Sequence, residues 1–255
     1  MKAGLMGAIA LGLCAAGPAA GELSVSLGLE YLHWEEDTTP VVTESGPLLA
    51  LGLGYTQEKD SGLLFAYRGR AYLGEVDYDG AGLFSGTPIQ GTTRYAGMAN
   101  EGQLRWRTRT RQNYRADWLV ALGMDFWERQ LTSSQSEDYE IGYLRLGGEI
   151  DVSEGKGWTA GAGVKYPFYT HEDAHLTNIG FDSNPTLKPG PDVSLFAHLG
   201  YRFTDRVSIV AYYDGFRFKK SEEEAVSHPV SGNGVIYQPA SDLTILGLRL
   251  EYRMK

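Results

Sequence analysis

Leu246-Gly247-Leu248-Arg249-Leu250-Glu251-Tyr252-Arg253 decides the fold. Leucine and tyrosine hold one parity, while glycine, arginine and glutamate hold the other. Successive side chains of a strand point to opposite faces, so this octapeptide needs an apolar medium on one side and a charge-tolerant space on the other. Nine more stretches upstream carry the same alternation, at 23–34, 48–56, 63–74, 101–109, 118–129, 143–152, 158–169, 193–203 and 207–218. The pattern predicts an all-β chain closed into an antiparallel transmembrane β-barrel of about ten strands.

The spacing of these stretches adds a topology. Polar links at 35–46, 75–99, 132–138, 171–191 and 221–240 alternate with tight turns at 57–61, near Gln112 and Asn113, and at 154–157 and 204–206. Long extracellular loops alternating with short periplasmic turns are the rhythm of outer-membrane barrels, and an even strand count returns both termini to the periplasm.

The amino terminus fits export. Met1 and Lys2 precede an apolar core from Leu5 to Ala16, followed by Gly17, Pro18, Ala19, Ala20 and Gly21. A positive start, a short apolar stretch and small residues make a secretory signal peptide, cut after Ala20 or Gly21. Residues 1–20 are therefore expected to be the signal and residues 21–255 the barrel, in the outer membrane of a Gram-negative cell. The single cysteine, Cys14, falls inside the signal. The exported chain has no disulfide available, and the hydrogen-bonded closure of the sheet must hold it together.

The 255-residue chain carries 23 basic and 32 acidic residues. Loss of the signal takes Lys2 and no acid, leaving a formal charge of −10, which argues against a nucleic-acid partner. The expected partners are outer-membrane lipid and lipopolysaccharide. The ending from Gly247 to Tyr252 resembles the C-terminal signal read by the barrel-assembly machinery, with Arg253, Met254 and Lys255 added after the aromatic.

Parity assigns Arg68, Arg70, Arg105, Arg107, Arg109, Arg129, Arg145, Lys165, Arg202, Arg249 and Arg253 to the lumen, facing Glu30, Glu101, Asp125, Glu149, Asp151 and Glu251. Charges in such a place persist as paired networks or in contact with water. A barrel of this size is about wide enough for its own side chains. A salt-bridged interior is the favoured expectation, and the arginine excess leaves a narrow anion path as an alternative.

Asp77-Tyr78-Asp79 stands above the third strand and Asp173-Ala174-His175 above the seventh. Ten strands with these two pairs resemble the omptins, outer-membrane endopeptidases that build their active site at those places. Ser26-Leu27-Gly28, with Glu36 beyond it, also resembles that family's first strand and its acidic specificity residue. The resemblance implies His175 as general base, Asp173 orienting its ring, Asp77 and Asp79 holding the attacking water, and Glu36 receiving a basic side chain of a peptide or protein substrate. Strict alternation turns Asp77 and Asp79 outward unless a bulge near Gly74 shifts the register. In the seventh strand Tyr169, His171, Asp173 and His175 continue the inward series.

Competing readings accompany these residues. Asp-x-Asp before Gly80 is also an ordinary loop turn. His171 and His175 with Asp173 or Glu172 form only a weak metal pattern, so neither metal nor cofactor is expected. His33 falls at the outer rim, His198 inward among arginines, and His228 in an acidic loop. Three functions remain open: a non-enzymatic surface barrel acting through its extracellular loops, an omptin-like endopeptidase, and a narrow anion-preferring channel.

Overall fold

The computed structural model describes residues 21–82, 86–109, 114–152, 155–230 and 232–254. The expected signal at 1–20, the turn at Gln112 and Asn113, and Glu154 lie outside these residues, and the Arg109 side chain is not described. Seven long strands come first: β1 (Gly21–Glu36), β2 (Val42–Gln57), β3 (Gly62–Ala81), β4 (Pro88–Arg109), β5 (Tyr114–Gln130), β6 (Ser136–Val152) and β7 (Gly157–Asp173). Two short pieces, β8 (Thr186–Leu187) and β9 (Gly190–Asp192), precede β10 (Ser194–Arg202) and β11 (Val207–Lys219). A small hairpin, β12 (Glu224–His228) and β13 (Gly232–Ile236), leads to β14 (Ser241–Met254).

Ten of these strands close the cylinder. Sequential neighbours pair antiparallel from β1 to β7, β7 pairs β10, β10 pairs β11, β11 pairs β14, and β14 returns to β1 with Leu23 opposite Met254 and Glu36 opposite Ser241. Closure satisfies the backbone polar groups without an open edge, which is the condition for strands to cross lipid. The exterior matches that medium. Leu29, Leu51, Leu73, Leu122, Trp118, Leu195 and Leu248 all face outward and exposed, a continuous apolar belt that water would not tolerate on a free surface. Near the turn end Trp158 and Tyr201 pack edge to face, as in an aromatic girdle.

The strands are longer than hydropathy suggested. β3 and β4 have 20 and 22 residues, where a tilted strand needs only about 9–11 to cross lipid. Much of the expected 75–99 loop is strand, with Ala81 still opposite Pro88. In this region the outward face is polar, with Glu75, Asp77 and Asp79 exposed, so no lipid-facing apolar series marks the strand, yet the backbone ladder continues into water.

The lumen divides into two zones. Toward the loop end, Leu32, Trp34, Leu48, Tyr139, Ile141 and Phe216 are fully buried and pack with Tyr72, Trp127 and Tyr143 into one core inside the barrel. Trp127 stacks on Tyr139 at 5.0 Å and Trp34 meets the same ring edge-on at 5.9 Å. Toward the turn end lies a vestibule of about 1150 Å³. One of its walls is stripped of bulk: Ser24, Ser26 and Gly28 on β1 and Ala50, Gly52 and Gly54 on β2 are its lining, and they project almost nothing into the space.

Toward the turn end the interior charges are paired. Arg107 forks onto Asp117 through two 2.8 Å hydrogen bonds, Arg68 reaches Glu149 at 3.1 Å, Arg70 reaches Glu30 at 3.1 Å, and Arg145 reaches Glu101 at 3.0 Å. Lys165 pairs with Asp214 at 3.1 Å while its ammonium sits 3.4 Å from the Phe216 ring centre. The expected arginine excess is corrected here: among the described residues, eleven carboxylates and eleven cationic side chains line the vestibule. Asp117 and Asp214 supply part of the difference, and both follow from continuing the parity of their own strands.

Candidate functional site

β3 carries no bulge near Gly74. Its register with β4 runs without a shift from Gly62 opposite Arg107 to Ala81 opposite Pro88. Simple alternation therefore persists, Tyr72, Val76 and Gly80 point inward, and Asp77 and Asp79 point outward and exposed. Asp79 accepts only a long 3.4 Å hydrogen bond from Gln90 among the contacts described.

The register shift falls in β7 instead. Gly142 faces Tyr169 but Tyr143 faces Pro167, so Phe168 is an extra residue on that strand. One inserted residue reverses the parity of everything beyond it. Thr170 and Glu172 turn inward and buried, while His171 and Asp173 turn outward. The expectation that Tyr169, His171, Asp173 and His175 continue the inward series is thus corrected, because strict alternation does not survive the bulge.

His175 follows the strand in a left-handed conformation, φ 42°. Its Nε2 lies 2.9 Å from Asp138 Oδ2 on β6, its Nδ1 lies 3.7 Å from Asp173 Oδ1, and the same Asp173 oxygen accepts its backbone N–H at 3.2 Å. An acid–histidine arrangement forms, with Asp138 as a member that sequence reading did not select. It stands on the outer side of the wall. β4, β5 and β6 separate it from β3, about 19 Å around the cylinder at the usual strand spacing. The structure joins Asp173 with His175 and does not join either with Asp77 or Asp79.

Glu36 does point inward, as expected from its strand. It is buried, with Arg129 Nη1 at 3.2 Å and the Trp34 indole N–H donating to it at 2.9 Å. The cation it meets is a residue of the chain itself. Around it stand further inward carboxylates that the sequence reading missed: Glu44 and Glu137, at 2.6 and 2.7 Å from the same guanidinium, and Glu172. Glu172 was legible only by knowing the bulge. Among the described residues, no group of three or more His, Cys, Asp or Glu side chains is placed to hold a metal ion.

The loop end also has a core of its own. Ala174, Leu176 and Leu187 from the segment after β7 bury against Val226 and Ile236 of the β12–β13 hairpin. Asp182 fastens the two, its carboxylate accepting the N–H of Ser227 at 2.9 Å and its own N–H donating to the Ser227 carbonyl at 3.0 Å.

No protein-family model matches this chain, and no curated protein matches its sequence. Among solved structures the chain is similar to the outer membrane protease OmpT from Escherichia coli, with 9% identity and a TM-score of 0.47 over 92% of this chain and 96% of that one. It is similar to the transport unit of the autotransporter AIDA-I from Escherichia coli, with 10% identity and a TM-score of 0.44 over 94% and 92%. OprG from Pseudomonas aeruginosa gives 12% identity and a TM-score of 0.33 over 93% and 98%. The ten-stranded closure itself rests on the pairing described above.

Proposed function

We propose that this chain is a non-enzymatic outer-membrane barrel of a Gram-negative cell, with a closed lumen and a rigid external crown that acts as a contact surface. Short turns and both barrel termini share one end, which this reading assigns to the periplasm, and the extended strands with their loop-end core stand on the cell surface. Lipopolysaccharide is the lipid partner on that side, and the barrel-assembly machinery inserts the chain.

The observation that carries the reading is the aromatic core inside the loop half of the barrel. Trp34, Tyr139, Ile141 and Phe216, each at most 2% exposed, fill the space a permeant ion would need. Pairing in the vestibule below removes the fixed positive field that anion selection requires. The endopeptidase reading has support in the contact of His175 with Asp173, and that support ends there, since Asp77 and Asp79 face away.

Planar-bilayer recording of the refolded protein tests this. Silence across salt conditions is expected, with conductance steps appearing when Trp34→Ala and Phe216→Ala open the core. Steady conductance from the unaltered protein would overturn the closed-lumen reading.

A further inference from the structure

We propose that the carboxylate cluster around Arg129 is a proton-binding site that holds the loop end of the lumen shut: partly protonated it clasps the strands together, and ionised it loosens them. Three acids converge there on one guanidinium, and a fourth, Glu172, is buried beside them. Glu44 contacts Arg129 Nη2 at 2.6 Å and Nε at 2.9 Å, Glu137 contacts Nη1 at 2.7 Å and Glu36 contacts Nη1 at 3.2 Å. Glu172 is 1% exposed, and its Oε2 has no hydrogen-bond partner among the described residues.

Glu36 comes from β1, Glu44 from β2, Tyr78 from β3, Tyr95 from β4, Arg129 from β5, Glu137 and Tyr139 from β6, and Glu172 from β7. At the same level β9, β11 and β14 give Pro191, Phe218 and Ser241, all uncharged. Among these residues Arg129 is the one cation, so full ionisation would leave three negative charges unmatched in a space walled by Trp34, Tyr95 and Tyr139. Carboxylates crowded in such a place keep protons.

The site lies above the lipid. Outward residues at its height are polar or charged, including Glu35, Thr43, Glu128, Asp138 and Asp173, so external pH governs it. Burial pushes Glu172 well above the usual carboxylate range and Glu137 above it, with neighbouring carboxylates adding to both shifts. A carboxyl raised in the folded state contributes stability that is fully present below its unfolded value, about 4.3, and is lost as pH rises through the raised value. The clasp is therefore tight in acid and weakens toward alkaline pH.

The inference rests on the closed lumen argued above and is tested separately from it. Trp34 and Trp127 sit in the plug, whereas Trp106, Trp118 and Trp158 face lipid, so replacing those three with Phe leaves a reporter of the clasp. Acrylamide quenching is expected to rise at least about twofold between about pH 5 and about pH 9. The response should be largely flat and low in Glu172→Gln, or in Glu137→Gln should the first variant fail to refold. Quenching that is flat in the parent, or equally steep in the variants, would overturn the clasp. High quenching at every pH together with bilayer conductance would overturn the closed lumen as well, whereas low, flat quenching in a silent bilayer would overturn the clasp alone.

Discussion

Asp138 and Asp173 face each other across the β6–β7 ladder, both outward, and the His175 ring bridges to them from above. Two carboxylates directly opposite would repel, and the imidazole between them relieves this. A hydrolytic role would need a water held between this histidine and a second acid pair, and the second pair is on the far side of three strands. The protein with lipopolysaccharide is expected to leave a fluorogenic dibasic peptide intact. Cleavage that His175→Ala abolishes would restore the endopeptidase reading.

Parity above the Phe168 bulge can be read chemically, because residues 21–255 contain no cysteine. Asp77→Cys and Asp173→Cys should react quickly with an impermeant maleimide applied to whole cells. Glu44→Cys and Glu172→Cys should react slowly. Fast labelling at 172 with slow labelling at 173 would reverse the assignment of the bulge.

Asp117→Asn breaks the two-point contact with Arg107 while Arg105 also lies 3.6 Å away, so two guanidinium groups lose a counter-charge. The expected loss is about 3 kcal/mol, the low end for a buried pair because vestibule water softens it. Urea unfolding in micelles measures this. His175→Ala, by contrast, removes a partly exposed pair and should cost less than about 1 kcal/mol.

Gly147 and Gly163 pair directly across β6 and β7, and the Phe196 ring lies over them. A Cβ at Gly163 would come within 2.1 Å of the Leu146 carbonyl oxygen and 2.7 Å of that ring. The first contact is backbone and cannot rotate away. Gly163→Val is expected to cost about 3 kcal/mol or to block refolding, seen as loss of the heat-modifiable gel band. An unchanged urea midpoint would contradict the packing described.

The ten alternating stretches were legible because each is a local property: consecutive residues reveal a lipid face and a lumen face without knowledge of their neighbours. Reach was harder to read. Above the belt, Thr43, Ser45, Asp77 and Asp79 belong to strands whose outer face meets water, so the hydropathy signal stops while the ladder continues. The candidate site suffered from the same limit, since Asp77 and Asp79 follow their strand and Asp173 does not.

From the chain alone came the closed antiparallel barrel, the lipid-facing set, and the lumen placement of residues such as Arg68, Arg105 and Lys165, because a period of two is written in the order of residues. Only the tertiary structure decided which acid meets which arginine, that the loop half is filled by rings from several strands, and that Glu172 rather than Asp173 faces inward. Those outcomes depend on register between strands, and a single unpaired residue at Phe168, set by how β7 fits against β6, inverts the side chains that follow it in β7.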